Sequence, residues 1–346
     1  MRAGCERSRP AWGRMRRAAT VVLIAASAAL PAVGPAQDGR HPESRGTGNG
    51  KIAFVQGDSI RLFEPDSGKR PERLTRGWAP AWSPDGRAVA FSDDLTPSVR
   101  TIFLINANGS GRRRLPLPVG GERRISNDFP AWSPDGARIA FTRYVLTRRS
   151  GRVRRLESDI FVVGAAGGTP RRLTTSGGAD SPTWSPDSRR LAYTGAVAGG
   201  SEFSRRLHVV DSDGTGDHTL DAATRASWAP DGHTVVWPPA WSPDGRRIAF
   251  ARPPAPAALA EEIYVIGADG TGLRRLTHRR QRGCGQGERC APGYVGPSWS
   301  PDGRHIVFLA VPSLLQVMNA DGSGLHTAVR GRELWLLGGP EWQPRR

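Results

Sequence analysis

Apolar and polar positions alternate in short bursts along this chain, and the bursts recur with a long period. Val89-Ala90-Phe91, Ile139-Ala140-Phe141, Leu191-Ala192-Tyr193, Ile248-Ala249-Phe250 and Ile306-Val307-Phe308 are apolar triplets of strand length. Each follows the phrase Trp-Ser-Pro-Asp-Gly or a near copy of it. Trp82, Trp132, Trp184, Trp241, Trp299 and Trp342 head six such phrases, spaced 50, 52, 57, 58 and 43 residues apart. A repeat in that range over most of a chain implies units that bury their apolar faces only against their neighbours.

Ser-Pro-Asp-Gly suits a type I turn position by position, with Pro presetting φ and Gly leaving the bend. Trp before the turn and the triplet after it predict a hairpin of strands a and b. Strand c follows as Ile102-Phe103-Leu104-Ile105, Ile160-Phe161-Val162-Val163, Leu207-His208-Val209-Val210 or Ile263-Tyr264-Val265-Ile266. After an Asp/Asn/Gly-rich turn comes strand d, Arg171-Arg172-Leu173-Thr174 or Arg274-Arg275-Leu276-Thr277. Four antiparallel strands per period describe the blade of a propeller. Ile52-Ala53-Phe54 is a strand b lacking its Trp strand, and Trp342 is a strand a lacking its successor, so the two ends are expected to share one blade. The fold class is therefore all-β, a six-bladed β-propeller closed by its C-terminal strand. Trp228-Ala-Pro-Asp-Gly232 and Val235-Val236-Trp237 copy the a–b hairpin only 13 residues before Trp241. That is too short for four strands of the usual length and predicts an inserted hairpin at about 225–238, a seventh blade being the alternative.

These phrases resemble the TolB-type (WD-repeat-like) propeller repeat, which also occurs in the propellers of prolyl-oligopeptidase-like peptidases. The resemblance spans about 51–344 and implies a periplasmic or secreted propeller that binds protein or peptide partners. The chain has no Gly-x-Ser-x-Gly elbow of the kind the peptidases' hydrolase domain carries.

Residues 1–36 read as an export signal: Arg14, Arg16 and Arg17 precede an apolar run from Ala18 to Leu30, and small residues lead to a cut after Ala36. Met15 is an alternative start. Residues 37–50 read as a linker, and the run is too short for a permanent membrane span. The expected location is extracytoplasmic: periplasmic, cell-envelope or secreted. Cys284 and Cys290 share a Gly-rich loop and are expected to form a local disulfide in that compartment, metal binding by the pair being the alternative.

The net charge of +17 comes from 49 basic and 32 acidic residues. Only Lys51 and Lys69 are lysines, and the arginines recur with the repeat, so no nucleic-acid partner is expected. Asp211-Ser-Asp-Gly-Thr-Gly-Asp217 opens like a calcium loop but lacks the distal Glu and coincides with a c–d turn. No metal or cofactor is expected, and the repeated turn aspartates are not a catalytic set.

Strand order puts the short a–b and c–d turns on one face and the long, variable b–c and d–a connections on the other, where binding usually resides. The expected partner-binding residues are Arg143, Tyr144, Arg148, Arg149, Arg154 and Arg155 after strand b; Arg123 and Arg124 in the 116–129 connection; Trp228 and Trp237 in the inserted hairpin; and Arg279, Arg280, Arg282 and Tyr294 near the cysteines. Guanidinium groups beside aromatics suit acidic peptides or an anionic envelope polymer. The expected function is a monomeric, non-catalytic binding scaffold engaging a protein, peptide or such a polymer through this face and the central channel. A lyase- or glycosidase-like propeller enzyme with channel acids, and a regulatory propeller serving a separately encoded hydrolase, are the alternatives.

Overall fold

The computed structural model describes residues 50–344 except 121–123, 150–151, 197–204, 221–236, 255–259, 279–292, 311–312 and 332–337, together with the backbone alone of 147–149 and 152–156. Six four-stranded antiparallel sheets make up a six-bladed β-propeller. The first blade takes β1 (Ile52–Gln56), β2 (Ser59–Phe63) and β3 (Glu72–Arg76) from one end of the ring and β24 (Glu341–Trp342) from the other, with Ile52 opposite Trp342. Blade two is β4 (Trp78–Trp82), β5 (Ala88–Thr96), β6 (Val99–Asn106) and β7 (Arg113–Arg114). Blade three is β8 (Arg124–Trp132), β9 (Arg138–Arg149), β10 (Arg152–Gly164) and β11 (Arg171–Arg172). Blade four is β12 (Asp180–Trp184), β13 (Arg190–Ala196), β14 (Arg205–Asp211) and β15 (His218–Thr219). Blade five is β16 (Ala240–Trp241), β17 (Arg247–Arg252), β18 (Glu262–Gly267) and β19 (Arg274–Arg275). Blade six is β20 (Tyr294–Trp299), β21 (His305–Ala310), β22 (Leu314–Asn319) and β23 (His326–Arg330).

The core is divided among the blade interfaces. Six buried apolar clusters occupy the six gaps between neighbouring blades. The repeated Trp of each blade wedges against the blade before it: Trp82 packs on Val55 and Leu62, Trp184 on Ile160 and Val162, and Trp342 on Val307 and Leu309. Two of the indoles also donate backward, Trp184 Nε1 to the Ala131 carbonyl at 3.1 Å and Trp299 Nε1 to that of Ala240 at 3.2 Å. A buried aromatic carries the largest apolar area of any side chain, which is why the repeat keeps Trp at this position.

The b–c segment of blade three is longer in strand than the repeat predicts. β9 and β10 pair continuously from Gly164↔Arg138 out to Arg152↔Arg149, and β8 joins them up to Arg124↔Leu146. What reads in sequence as an Arg-rich connection is a three-stranded extension of the blade on the b–c and d–a face. The inserted hairpin predicted at 225–238 lies outside the described residues except for Trp237 and Pro238.

Candidate binding face and channel

On the a–b turn face, the repeated polar residues bind one another. In five turns the Ser hydroxyl (Ser83, Ser133, Ser185, Ser242, Ser300) donates to the Asp two residues on, at 2.5–2.6 Å. In all five turns the same carboxylate accepts a backbone N–H beyond the bend, from Arg87, Ala137, Arg189, Arg246 or Arg304. These bonds hold Asp85, Asp135 and Asp187 below the ordinary carboxylate range, the Ser hydroxyl being the main cause. Ser188 replaces the turn glycine and still adopts φ 59°, while its hydroxyl accepts the Asp135 N–H of the preceding blade at 3.0 Å.

The arginines of the repeat are largely occupied as well. Arg138, Arg190 and Arg247 lie over the Trp184, Trp241 and Trp299 rings of the next blade at 4.6, 5.2 and 4.7 Å, within cation–π range. The Arg-Arg-Leu-Thr phrase divides its work. The first arginine ties adjacent blades, Arg171 donating to the Ser212 and Asp213 carbonyls and Arg274 to that of Asp321. The second pairs with a buried acid that opens strand c, Arg172 with Asp159 at 2.6 Å and Arg275 with Glu262 at 2.9 Å. The threonine closes the unit: Thr174 Oγ1 donates to Asp159 at 2.8 Å and accepts the Ile160 N–H at 3.0 Å, and Thr277 repeats both bonds with Glu262 and Ile263. Sequence reasoning missed this acid–Arg–Thr unit. Its available signal was the acid standing before the Ile of strand c in the two blades that carry the full phrase.

On blade three, the opposite face holds those of the expected binding residues that are described there. Arg143 and Tyr144 are neighbours on β9. The Arg143 guanidinium lies over Phe161 at 4.2 Å and Phe141 at 5.5 Å, and its Nε donates to Asn127 Oδ1 at 3.0 Å. Partial burial lowers its pKa. The Tyr144 hydroxyl donates to Asp180 of the next blade, which also accepts from Thr142 at 3.1 Å. Burial raises the pKa of both Tyr144 and Asp180. Arg124 opens β8 opposite Leu146, so the structure gathers Arg124, Arg143 and Tyr144 on adjoining strands of blade three. The backbone of Arg148, Arg149, Arg154 and Arg155 continues the same hairpin, with side chains outside the described atoms. Trp237 is buried beside Val295 and Trp342, and Tyr294 packs edge-on against Phe308 at 5.2 Å. These two belong to the far side of the ring, near blades five, six and one. Arg123, Trp228, Arg279, Arg280, Arg282, Cys284 and Cys290 lie outside the described residues.

The six innermost strands enclose a channel of about 480 Å³. Prolines ring it twice: Pro80, Pro130, Pro182, Pro239, Pro297 and Pro340 stand two residues before each Trp, and Pro84, Pro134, Pro186, Pro243, Pro301 and Pro344 two residues after. An innermost strand has no partner on its channel side, and proline is tolerated on such an edge because it withholds the N–H that would recruit another strand. At the long-loop mouth, strand a bulges in four blades. The residue three before Trp is left-handed there: Ala79 (φ 47°), Phe129 (φ 51°), Ser181 (φ 53°) and Gly296 (φ 61°). The preceding blade captures two of these amides, Phe129 N–H on Ser92 Oγ at 3.2 Å and Ser181 N–H on Thr142 Oγ1 at 3.0 Å.

The final phrase of the repeat, Pro-Glu-Trp-Gln-Pro, departs from the template at two residues, and both form the seam. Glu341 Oε2 accepts the Trp82 N–H of blade two at 2.8 Å. The Gln343 side chain donates to the Gly86 carbonyl at 2.8 Å and accepts the Lys51 N–H at 3.1 Å, while Gln343 N–H donates to the Lys51 carbonyl at 2.7 Å. Burial pushes the Glu341 pKa up to about 8, opposed only by the Trp82 N–H. The Asp211–Asp217 segment is an ordinary c–d turn, in which Asp213 accepts from Thr215 N–H at 2.8 Å and Asp217 from the Tyr193 hydroxyl at 2.7 Å. Among the described residues no cluster of His, Cys, Asp and Glu could hold a metal ion, and no helix is long and apolar enough to cross a membrane.

Radial four-stranded blades, Trp wedges and a channel walled by innermost strands define a closed β-propeller. Residues 74–237 match the TolB beta propeller domain, so that part of the ring carries the TolB-type propeller repeat. The structure is similar to that of TolB from Acinetobacter baumannii, with a TM-score of 0.61 and 19% identity over 87% of this chain and 68% of that one. A putative TolB from Agrobacterium tumefaciens gives 0.56 and 20% over 85% and 94%. A chain of a nidogen/laminin complex gives 0.58 at only 12% identity over 85% and 98%, so this likeness is one of fold. No curated protein matches the sequence.

Proposed function

We propose that this protein is a non-catalytic extracytoplasmic scaffold that holds a protein, peptide or anionic envelope polymer on its long-loop face, with the channel as a second contact. The asymmetry between the faces supports this reading most directly. On the turn face, repeated Ser, Asp and Arg side chains are spent on turns and blade-to-blade ties. On the other, blade three carries an extension that the propeller does not need for closure, built from β8, β9 and β10. Seven arginines fall within 143–155 and at Arg124, a local excess that favours carboxylate- or phosphate-bearing partners. The export-like segment 1–36 and linker 37–50 support delivery outside the cytoplasm, as does the likeness to TolB, and Cys284 and Cys290 would form a disulfide there.

The test is affinity capture from envelope extract, comparing the wild type with a protein whose residues 147–156 are replaced by a short Gly-Ser turn and with the quadruple variant R148S/R149S/R154S/R155S. A partner that is retained by the wild type, released by salt and lost from both variants is the expected result. Identical capture by all three removes the hairpin from the function.

A further inference from the structure

Among the described residues, the channel wall is uncharged except at one point. Of the described residues that line it, Glu341 alone is ionisable. The other five blades place Ala81, Ala131, Thr183, Ala240 and Ser298 at the equivalent position, one residue before the Trp. A carboxylate exceeds what the seam requires there, since Ser298 reaches the equivalent Trp342 N–H with a hydroxyl, at 3.4 Å. Among the described residues Glu341 meets no cation: its burial is offset by the Trp82 N–H alone. An acid held among Pro, Ala and Trp without a counter-charge is costly, and the chain bears that cost at the one position that faces both the seam and the lumen.

We propose that Glu341 is the recognition point for a primary ammonium group carried into the channel on a slim, unbranched aliphatic chain. The proline and alanine wall receives the methylenes, which gain by leaving water. An ammonium presents three donors, to be shared between the carboxylate and acceptors such as the Ser298 hydroxyl of the adjoining blade. A guanidinium fits less well, because its planar fork prefers both oxygens of a carboxylate and the Trp82 N–H already holds Oε2. A divalent metal would need several oxygen ligands, and the lining supplies one carboxylate. This inference rests on the channel half of the function proposed above and names its ligand chemistry. Since no other described lining residue titrates, ammonium binding draws off the Glu341 proton and strengthens as pH rises through about 8.

The probes are hexylamine, hexan-1-ol and N-acetyl-lysine methylamide, titrated at pH 7.0 and 8.5 while the Trp82 backbone amide is followed by NMR. Hexylamine is expected to saturate that shift, with affinity about eightfold greater at pH 8.5. Glu341→Gln should weaken it at least roughly tenfold. Glu341→Ala, which restores the residue of three other blades, should do the same with the sheet retained by circular dichroism. N-acetyl-lysine methylamide binding as tightly as hexylamine would assign the ammonium to a lysine side chain, and hexylamine alone would assign it to a free amine; either supports Glu341 as the recognition point. Equal binding of hexylamine and hexan-1-ol overturns the inference but leaves the channel a binding site. Unchanged hexylamine affinity in both variants overturns it outright, and so does failure of every probe, which also removes the channel from the proposed function.

Discussion

Single residues decide more in this protein than its repetition suggests, and Asp159 and Glu341 show two ways of burying an acid. Asp159 is almost wholly buried but meets Arg172, Thr174 and the Gly177 N–H. Removing one member leaves the others unsatisfied, so Asp159→Ala should destabilise by about 3 kcal/mol in urea titration, and Arg172→Met by about as much, because it strands the buried carboxylate without its counter-charge. Glu341 lacks such partners. Its pKa rises from 4.5 to about 8 on folding, so the folded state holds the proton more tightly than the unfolded chain. Its contribution is therefore complete below about pH 4.5 and lost as pH climbs through about 8. Channel water tempers the loss, and the wild type should fall by roughly 2 kcal/mol relative to Glu341→Gln between pH 5 and pH 9. Denaturant midpoints of both proteins across that range measure it. The sequence signal for Asp159 is no more than an acid before the strand c Ile, and Glu341 has none. Asp159 binds Arg172 across two strands, and the Glu341 partner lies 259 residues away; no local phrase encodes either distance.

Elements were legible where their signal was local. The Ser-Pro-Asp-Gly turns, the strand triplets and the c–d turns lie where the alternation puts them, because each turn's hydrogen bonds close within five residues. The 143–155 segment was misjudged as a loop by its charge. Its strand signal was present in Val145-Leu146 and Val153 flanking Ser150-Gly151, a hairpin pattern obscured by arginines on both arms. The strand a bulge was invisible in sequence, since Ala79, Phe129 and Ser181 are not residues that advertise positive φ. Phe129 is the most strained of these, being bulky. Phe129→Gly should relieve that strain, forfeiting only the half-buried ring, so thermal unfolding should shift by no more than a few degrees.

At the scale of the whole molecule, stability is a cycle of six similar interfaces in which every Trp completes its neighbour's core. The ring count and its closure were read from the orphan strands at the two ends, since a strand b without an a and an a without a b can be reconciled only by pairing. The sharing of labour around the ring was not, because it depends on Arg171, Arg274, Arg138 and Arg247 reaching the following blade. Trp342→Ala should cost about 3–5 kcal/mol, similar to Trp184→Ala in chemical denaturation. The Trp342 variant should also expose the edge of β1, detected as faster amide exchange at Ile52 and Ala53.

Because β24 is joined to β1 by two residue pairs, Ile52↔Trp342 and Ala53↔Glu341, the ring cannot clasp until all the strands between them have been made. Until then the nascent chain carries a bare β-edge at β1, a template for unwanted pairing with other polypeptides. Closure therefore does more than complete a blade: it removes an exposed edge that the growing polypeptide would otherwise offer to its surroundings.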